Sequence, residues 1–138
     1  MKIEFHHINY VSKNIEELDI FYRDIMQMEI ISPEKFPRTA ATDKAGYGGK
    51  IKFVTEGNMQ MHLAEQDLDV ANKHNQEINP VEKGHIAFRT DDIEEFKAIL
   101  RKNNILFSDY GTAFAQEWYQ IFFHDPVGNV IEVHQLID

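Results

Sequence analysis

"HHINYVSKNIEEL" at residues 6–18 and "GHIAFRTDDIEEF" at residues 84–96 are two copies of one pattern. With His7 laid on His85, Ile8 falls on Ile86, Tyr10 on Phe88, Ser12 on Thr90, Asn14 on Asp92, Ile15 on Ile93, and Glu16 and Glu17 on Glu94 and Glu95, without a gap. A repeat of about half the chain, present twice, is too long for a solenoid of small units and marks an internally duplicated domain. At 138 residues the chain is the size of one ordinary domain, so the copies must share a core. Module 1 covers about 4–64 and module 2 about 83–136, joined by a polar, aperiodic connector at 65–82.

Each copy opens as a strand and changes period into a helix. Ile8 and Tyr10 alternate with His7, Asn9 and Val11, the period of a half-buried strand. Then Ile15, Leu18, Phe21, Tyr22 and Ile25 fall on one helical stripe, and Asn14 with Glu17 forms a capping box at its start. Module 2 repeats the plan with Asp92 and Glu95 at the cap and Ile93, Phe96, Ile99 and Leu100 on the stripe. Three strand-like stretches come after each helix: "MEIIS", "GKIKFVTEG" and "MQMHLAE", then "NILFSDYG", "WYQIFFHD" and "NVIEVHQ". The predicted class is α+β, as two βαβββ modules.

Composition narrows the chemistry. The net charge is −9, from 23 acidic against 14 basic residues, and no basic run offers phosphate neutralisation, so neither nucleic acid nor an anionic membrane is an expected partner. There is no cysteine, so any metal is held by nitrogen and oxygen. No stretch has the length of a signal peptide core or a membrane span, which points to a cytoplasmic protein.

The repeat also pairs the module ends. His62 stands eleven residues after Ile51, and Glu132 eleven after Ile121, so the two are equivalent on the last strands as His7 and His85 are on the first. Strand parity sends all four to the face opposite the helices: Ile8 and Tyr10 leave His7 there, Ile86 and Phe88 leave His85, Met61 and Leu63 leave His62, and Ile131 and Val133 leave Glu132. That face must be buried by the other module or by a second chain. Three imidazoles and a carboxylate suit zinc, nickel, cobalt, manganese or iron, and His7, His85 and Glu132 alone make the two-histidine, one-carboxylate set of non-haem iron. His6, His74, His124 and His134 lack duplicated partners and are assigned supporting or surface roles, His134 sharing the face of Glu132.

"HHINYVSKNIEELDIFYRDIMQME", "HLAE", "GHIAFRTDDIEEF" and "FFHDPVGNVIEVHQ" together resemble the vicinal oxygen chelate superfamily, which includes glyoxalase I, fosfomycin-resistance transferases, methylmalonyl-CoA epimerase, extradiol dioxygenases and bleomycin-resistance proteins. The resemblance covers nearly the whole chain. It implies curved mixed sheets enclosing a divalent metal, a homodimer, and metal positions at His7, His62, His85 and Glu132. It further implies a glyoxalase I-like lyase or isomerase acting on a small-molecule substrate with chelating oxygens, Glu132 or His62 moving the proton.

The chain departs from each relative in turn. The arginine typical of glyoxalase I four residues past the first ligand is Val11 here, while Arg89 stands at the corresponding point of module 2, facing the cleft. Epimerases carry glutamine where this chain has His62, and the tyrosine of fosfomycin transferases is Phe122. Substrate contacts are expected from Arg89, Trp118, Tyr119, Phe36 and Arg38, with Tyr110 on a neighbouring loop. The alternatives are a metal-free drug- or metabolite-binding protein, a fosfomycin-type thiol transferase and an iron(II) ring-cleaving dioxygenase.

Overall fold

The computed structural model describes residues 1–137. Strands β1 (Ile3–Ser12), β2 (Glu29–Ile30), β3 (Ile51–Thr55), β4 (Gln60–Glu65), β5 (His85–Thr90), β6 (Phe107–Gly111), β7 (Trp118–His124) and β8 (Val130–Leu136) form one mixed sheet in the order β2-β3-β4-β1-β5-β8-β7-β6. In each half the first strand lies parallel to the last, β1 with β4 and β5 with β8, and the halves meet where β1 and β5 pair antiparallel. The sequence repeat is therefore a two-fold arrangement inside a single sheet.

Helix α1 (Ile15–Ile20) and helix α3 (Ile93–Lys102) start where the repeat places them. Asn14 Oδ1 accepts from the Glu17 amide at 3.3 Å, and Asp92 Oδ1 from the Glu95 amide at 2.9 Å, each satisfying an otherwise orphaned N–H. Each helix covers one half of the sheet: Ile15 packs with Val54, Met61 and Leu63, and Ile93 and Leu100 with Ile121 and Val133.

The stripe predicted for module 1 holds only in part. After Ile20 the helix slips into a π turn, Phe21–Ile25, closed by the Met26 amide on the Phe21 carbonyl. The wider turn rotates the later residues off the 3.6-residue stripe. Ile15 is buried and Leu18 and Tyr22 pack beside it, but Phe21 and Ile25 face solvent.

The opposite face of the sheet is covered by this chain itself. Tyr47 from the loop before β3, and Val70, Ile78 and Val81 from the connector, pack with Ala64, Tyr110, Phe122 and Val130. The connector is thus more than a polar tether: it carries the short helix α2 (Val70–Lys73), and the Tyr110 hydroxyl donates to the Ile78 carbonyl at 2.6 Å. Both modules therefore contribute to one cleft within one chain. Among the described residues no helix is long and apolar enough to cross a membrane.

Candidate metal centre

Three adjacent strands set the ligands. Across the sheet His7 lies opposite Ala87, and Ala87 opposite Glu132, while His85 lies opposite Asn9 two residues back along β5. Alternation puts all of them on the cleft face. Ala87 is fully buried in the middle of that row, and its lone methyl leaves room between the larger side chains on either side. Gly84 lets β5 begin directly against β1, because a Cβ there would meet the Asn9 carbonyl at 2.4 Å.

The ligand atoms of His7, His85 and Glu132 lie within 4.8 Å of one another, and all three residues are buried. His85 Nε2 is 3.1 Å and His7 Nε2 3.8 Å from Glu132 Oε1. Atoms bound tetrahedrally at about 2.0–2.1 Å from one ion sit about 3.3 Å apart, so this spacing fits a first-row divalent metal.

The hydrogen bonds give an independent test of that fit. His85 Nδ1 lies 3.1 Å from the Pro80 carbonyl, which can only accept, so the ring proton is on Nδ1 and Nε2 presents a lone pair. That lone pair faces a carboxylate oxygen at 3.1 Å, and two acceptors at such a distance call for a cation or a proton between them. Burial, reinforced by the neighbouring His62, holds His7 well below the ordinary histidine value; burial also lowers His62, to about 3. Burial alone would raise the Glu132 carboxyl, but His7 and the hydrogen bond from His134 outweigh it and keep it well below the usual carboxylate range. Neutral imidazoles and an ionised carboxylate are the forms that bind metal.

His62 lies apart from the three converging residues. Its ring stacks on His7 at 3.7 Å, and its Nε2 is 3.1 Å from Gln60 Oε1. It lines the same cavity and stands ready as a fourth group beside the cluster.

Behind Glu132 runs a brace. The Arg89 Nε–H donates to His134 Nε2 at 3.1 Å, so the His134 proton sits on Nδ1 and is donated to Glu132 Oε2 at 2.6 Å. His134 is fully buried and stacks on Trp118 with ring centroids 4.2 Å apart. A β-bulge adds a second support: Phe5 pairs with Phe88 and His7 with Ala87, leaving His6 as the extra residue. The bulge turns His6 to the same side as His7, with Nδ1 atoms 2.8 Å apart, and burial lowers His6 to about 4. His74 has a structural role, its Nδ1 donating to the Val70 carbonyl and its Nε2 accepting from the Gly46 amide.

A cavity of about 90 Å3 opens onto the cluster. Of the expected substrate contacts, Phe36, Arg38 and Trp118 line it. Arg89 does not, being committed to His134 and packed over Trp118. Tyr119 does not either: it comes next after Trp118 on the strand and so faces the helix side, where its hydroxyl meets Asp109 and Lys97. The Tyr110 hydroxyl is spent on the connector. The sequence reading missed Asn9 and Gln120, both buried in the wall with side-chain oxygens that have no partner. Parity is the signal that points to them, since Asn9 alternates with Ile8 and Tyr10, and Gln120 with Tyr119 and Ile121.

A family model, that of the glyoxalase/bleomycin resistance protein/dioxygenase superfamily, matches residues 4–133. No curated protein matches the sequence. Among solved structures, a hypothetical protein from Bacillus halodurans C-125 is 17% identical with a TM-score of 0.69, over 100% of this chain and 97% of that one. Methylmalonyl-CoA epimerase from Mycobacterium tuberculosis is 14% identical with a TM-score of 0.64, over 98% and 89%. A superfamily member from Vibrio splendidus 12B01 is 11% identical with a TM-score of 0.58, over 97% of each chain. At such identities the likeness is one of fold, and the reaction has to be argued from the site.

Proposed function

We propose that this chain, which belongs to the glyoxalase/bleomycin resistance protein/dioxygenase superfamily, is a divalent-metal-dependent lyase or isomerase of glyoxalase I type acting on a small oxygen-bearing substrate. His7, His85 and Glu132 would hold the metal, with His62 as a fourth ligand or as the proton-transfer group. When bound, the metal supplies Lewis acidity that stabilises negative charge developing on substrate oxygens. The observation that carries this reading is the convergence of three buried ligand atoms, with the His85 lone pair set against the Glu132 carboxylate at 3.1 Å.

The roles divide by what each residue has left to give. Glu132 has Oε2 committed to His134 and Oε1 to the cluster, which suits a fixed ligand better than a moving base. His62 borders the cavity, and with one ring nitrogen on Gln60 it has the other left to ligate or to take a proton. Trp118, Phe36 and Phe53 form apolar walls that hold the substrate and exclude water from the charge that develops. A homodimer is part of the same proposal, and sedimentation equilibrium tests it.

The deciding experiment is elemental analysis of the purified, untagged protein beside a His7→Ala, Glu132→Ala double variant. Near-stoichiometric metal that disappears in the variant is expected. Absence of metal after reconstitution would overturn the reading in favour of a metal-free binding protein, for which the aromatic cavity would remain suited. Bound iron together with oxygen consumption on a catechol would redirect it to ring cleavage.

A further inference from the structure

Arg38 enters the cavity from the loop before β3 with its charge unanswered. One terminal nitrogen donates to the Gly49 carbonyl at 2.9 Å and the other to the Tyr47 carbonyl, and the guanidinium lies over the Tyr47 ring. A guanidinium has five N–H donors, so these two bonds leave three for a ligand. No carboxylate among the described residues lies within ion-pair distance of it. The cavity's one carboxylate, Glu132, has one oxygen bonded to His134 and the other turned to the ligand cluster. A half-buried cation held in place by backbone carbonyls and facing an open cavity is built to receive an anion.

Asn9 and Gln120 give the second observation. They are 7% and 6% exposed, both line the cavity, and the side-chain oxygen of each is buried without a partner. Leaving two such acceptors unmet is costly unless a ligand supplies the donors. Between these polar points the walls are aromatic, with Phe36 stacked on Phe53 at 4.3 Å and Trp118 near both Phe36 and His62.

We propose that the cavity takes a small aromatic acid, its anionic group on Arg38 and a hydroxyl or N–H donor on Asn9 Oδ1 or Gln120 Oε1. This deepens the proposed function, since it names the substrate class of that same site. Of the superfamily's many ligand chemistries, it selects those in which one end of the molecule is anionic and anchored away from the reacting oxygens. Bound metal adds positive charge to the cavity and reinforces the preference for an anion.

Trp118 is the only tryptophan in the chain and lines the cavity, so its fluorescence reports occupancy. The probes are 4-hydroxybenzoate, the neutral 4-hydroxybenzamide, and benzoate, titrated into chelator-stripped protein and into protein reconstituted with manganese. We expect 4-hydroxybenzoate to bind about tenfold or more tighter than the amide in both forms, as a charge-assisted contact requires, and tighter than benzoate, which lacks the donor. Arg38→Gln should abolish the preference for acid over amide, and Arg38→Lys, which keeps the charge, should retain most of it. Equal binding of acid and amide by the unmodified protein, or no binding of either, overturns the inference without any variant having to fold. A preference that appears only with manganese bound also overturns it, because the metal and not Arg38 would then be holding the carboxylate. If the preference persists in stripped protein while no metal can be loaded, the anion site stands and the metal-dependent reading falls.

Discussion

Asp19 and Lys97 occupy the same position of the repeat, one in each module, and both are buried on the inner side of their helix. Among the described residues Asp19 is met by Arg23 alone, in a two-pronged contact of 2.9 and 2.8 Å one turn on. Lys97 reaches Glu94 at 2.9 Å, the Tyr119 hydroxyl at 3.0 Å and Asp109 at 3.3 Å. The duplication preserved a buried charge and inverted its sign, each module then building its own way to satisfy it. The same asymmetry runs through the metal centre. The module 2 ligands are anchored by firm acceptors and donors, His85 by the Pro80 carbonyl and Glu132 by His134 and Arg89. The module 1 histidines lean on His6, on Gln60 and on each other. A repeat fixes where a side chain stands in the sheet; what it can do there depends on neighbours that are free to diverge.

This contrast can be broken in several ways. The largest effect is expected from His85→Ala or Glu132→Ala, which should take metal content below detection by elemental analysis, whereas His62→Ala should keep measurable metal at reduced affinity. Equal losses from all three would make His62 a full ligand.

Acid is the next lever and acts on the module 1 histidines. His62 is lowered to about 3 and His7 is lowered too, so between the unfolded value near 6.5 and that range the unfolded chain binds protons that the folded one refuses. Stability is therefore full above about pH 6.5 and falls on acidification, by about 1.4 kcal/mol per pH unit for His62. The lowered Glu132 adds a loss of the same sign at still lower pH, as it is protonated. Thermal melts of metal-stripped protein across this range check the slope.

Removing one partner from each buried pair comes third. Arg23→Ala strands the buried Asp19 carboxylate and should be the more destabilising of the two in urea unfolding. Asp109→Ala should cost about 1 kcal/mol, because Lys97 keeps Glu94 and Tyr119. Next, His134→Ala should weaken metal binding by about ten- to hundredfold while leaving all the direct ligands in place. The smallest effect belongs to Ile25→Ser, where an exposed side chain at the end of the π turn should change monomer stability by less than about 0.5 kcal/mol.

Much of this architecture is legible in the amino-acid order. Asn14 and Asp92 locate both helices because a capping side chain is a local signal, and strand parity puts His7, His85 and Glu132 on one face because alternation is a property of the strand itself. Parity also contains the answer for Tyr119: the aromatic cluster invites grouping it with Trp118, although strand neighbours face opposite ways. The features that stay hidden depend on contacts between distant segments. The bulge at His6 arises from how β1 registers against β5. The π turn breaks a stripe whose spacing looks helical throughout. Arg89 faces as expected, but His134 claims it before a ligand can, and that pairing joins β5 to β8. The connector reads as polar because its four buried residues, Val70, Ile78, Pro80 and Val81, are spaced without period.

Ala87 carries a wider lesson about what a site is made of. It donates nothing and binds nothing, yet it stands between His7 and Glu132 in the row of the sheet where the ligand atoms meet. Valine or leucine there would leave every donor intact and fill the volume an ion needs. A search for kindred proteins, or a design that grafts this centre elsewhere, has to specify an empty place as strictly as it specifies two histidines and a glutamate.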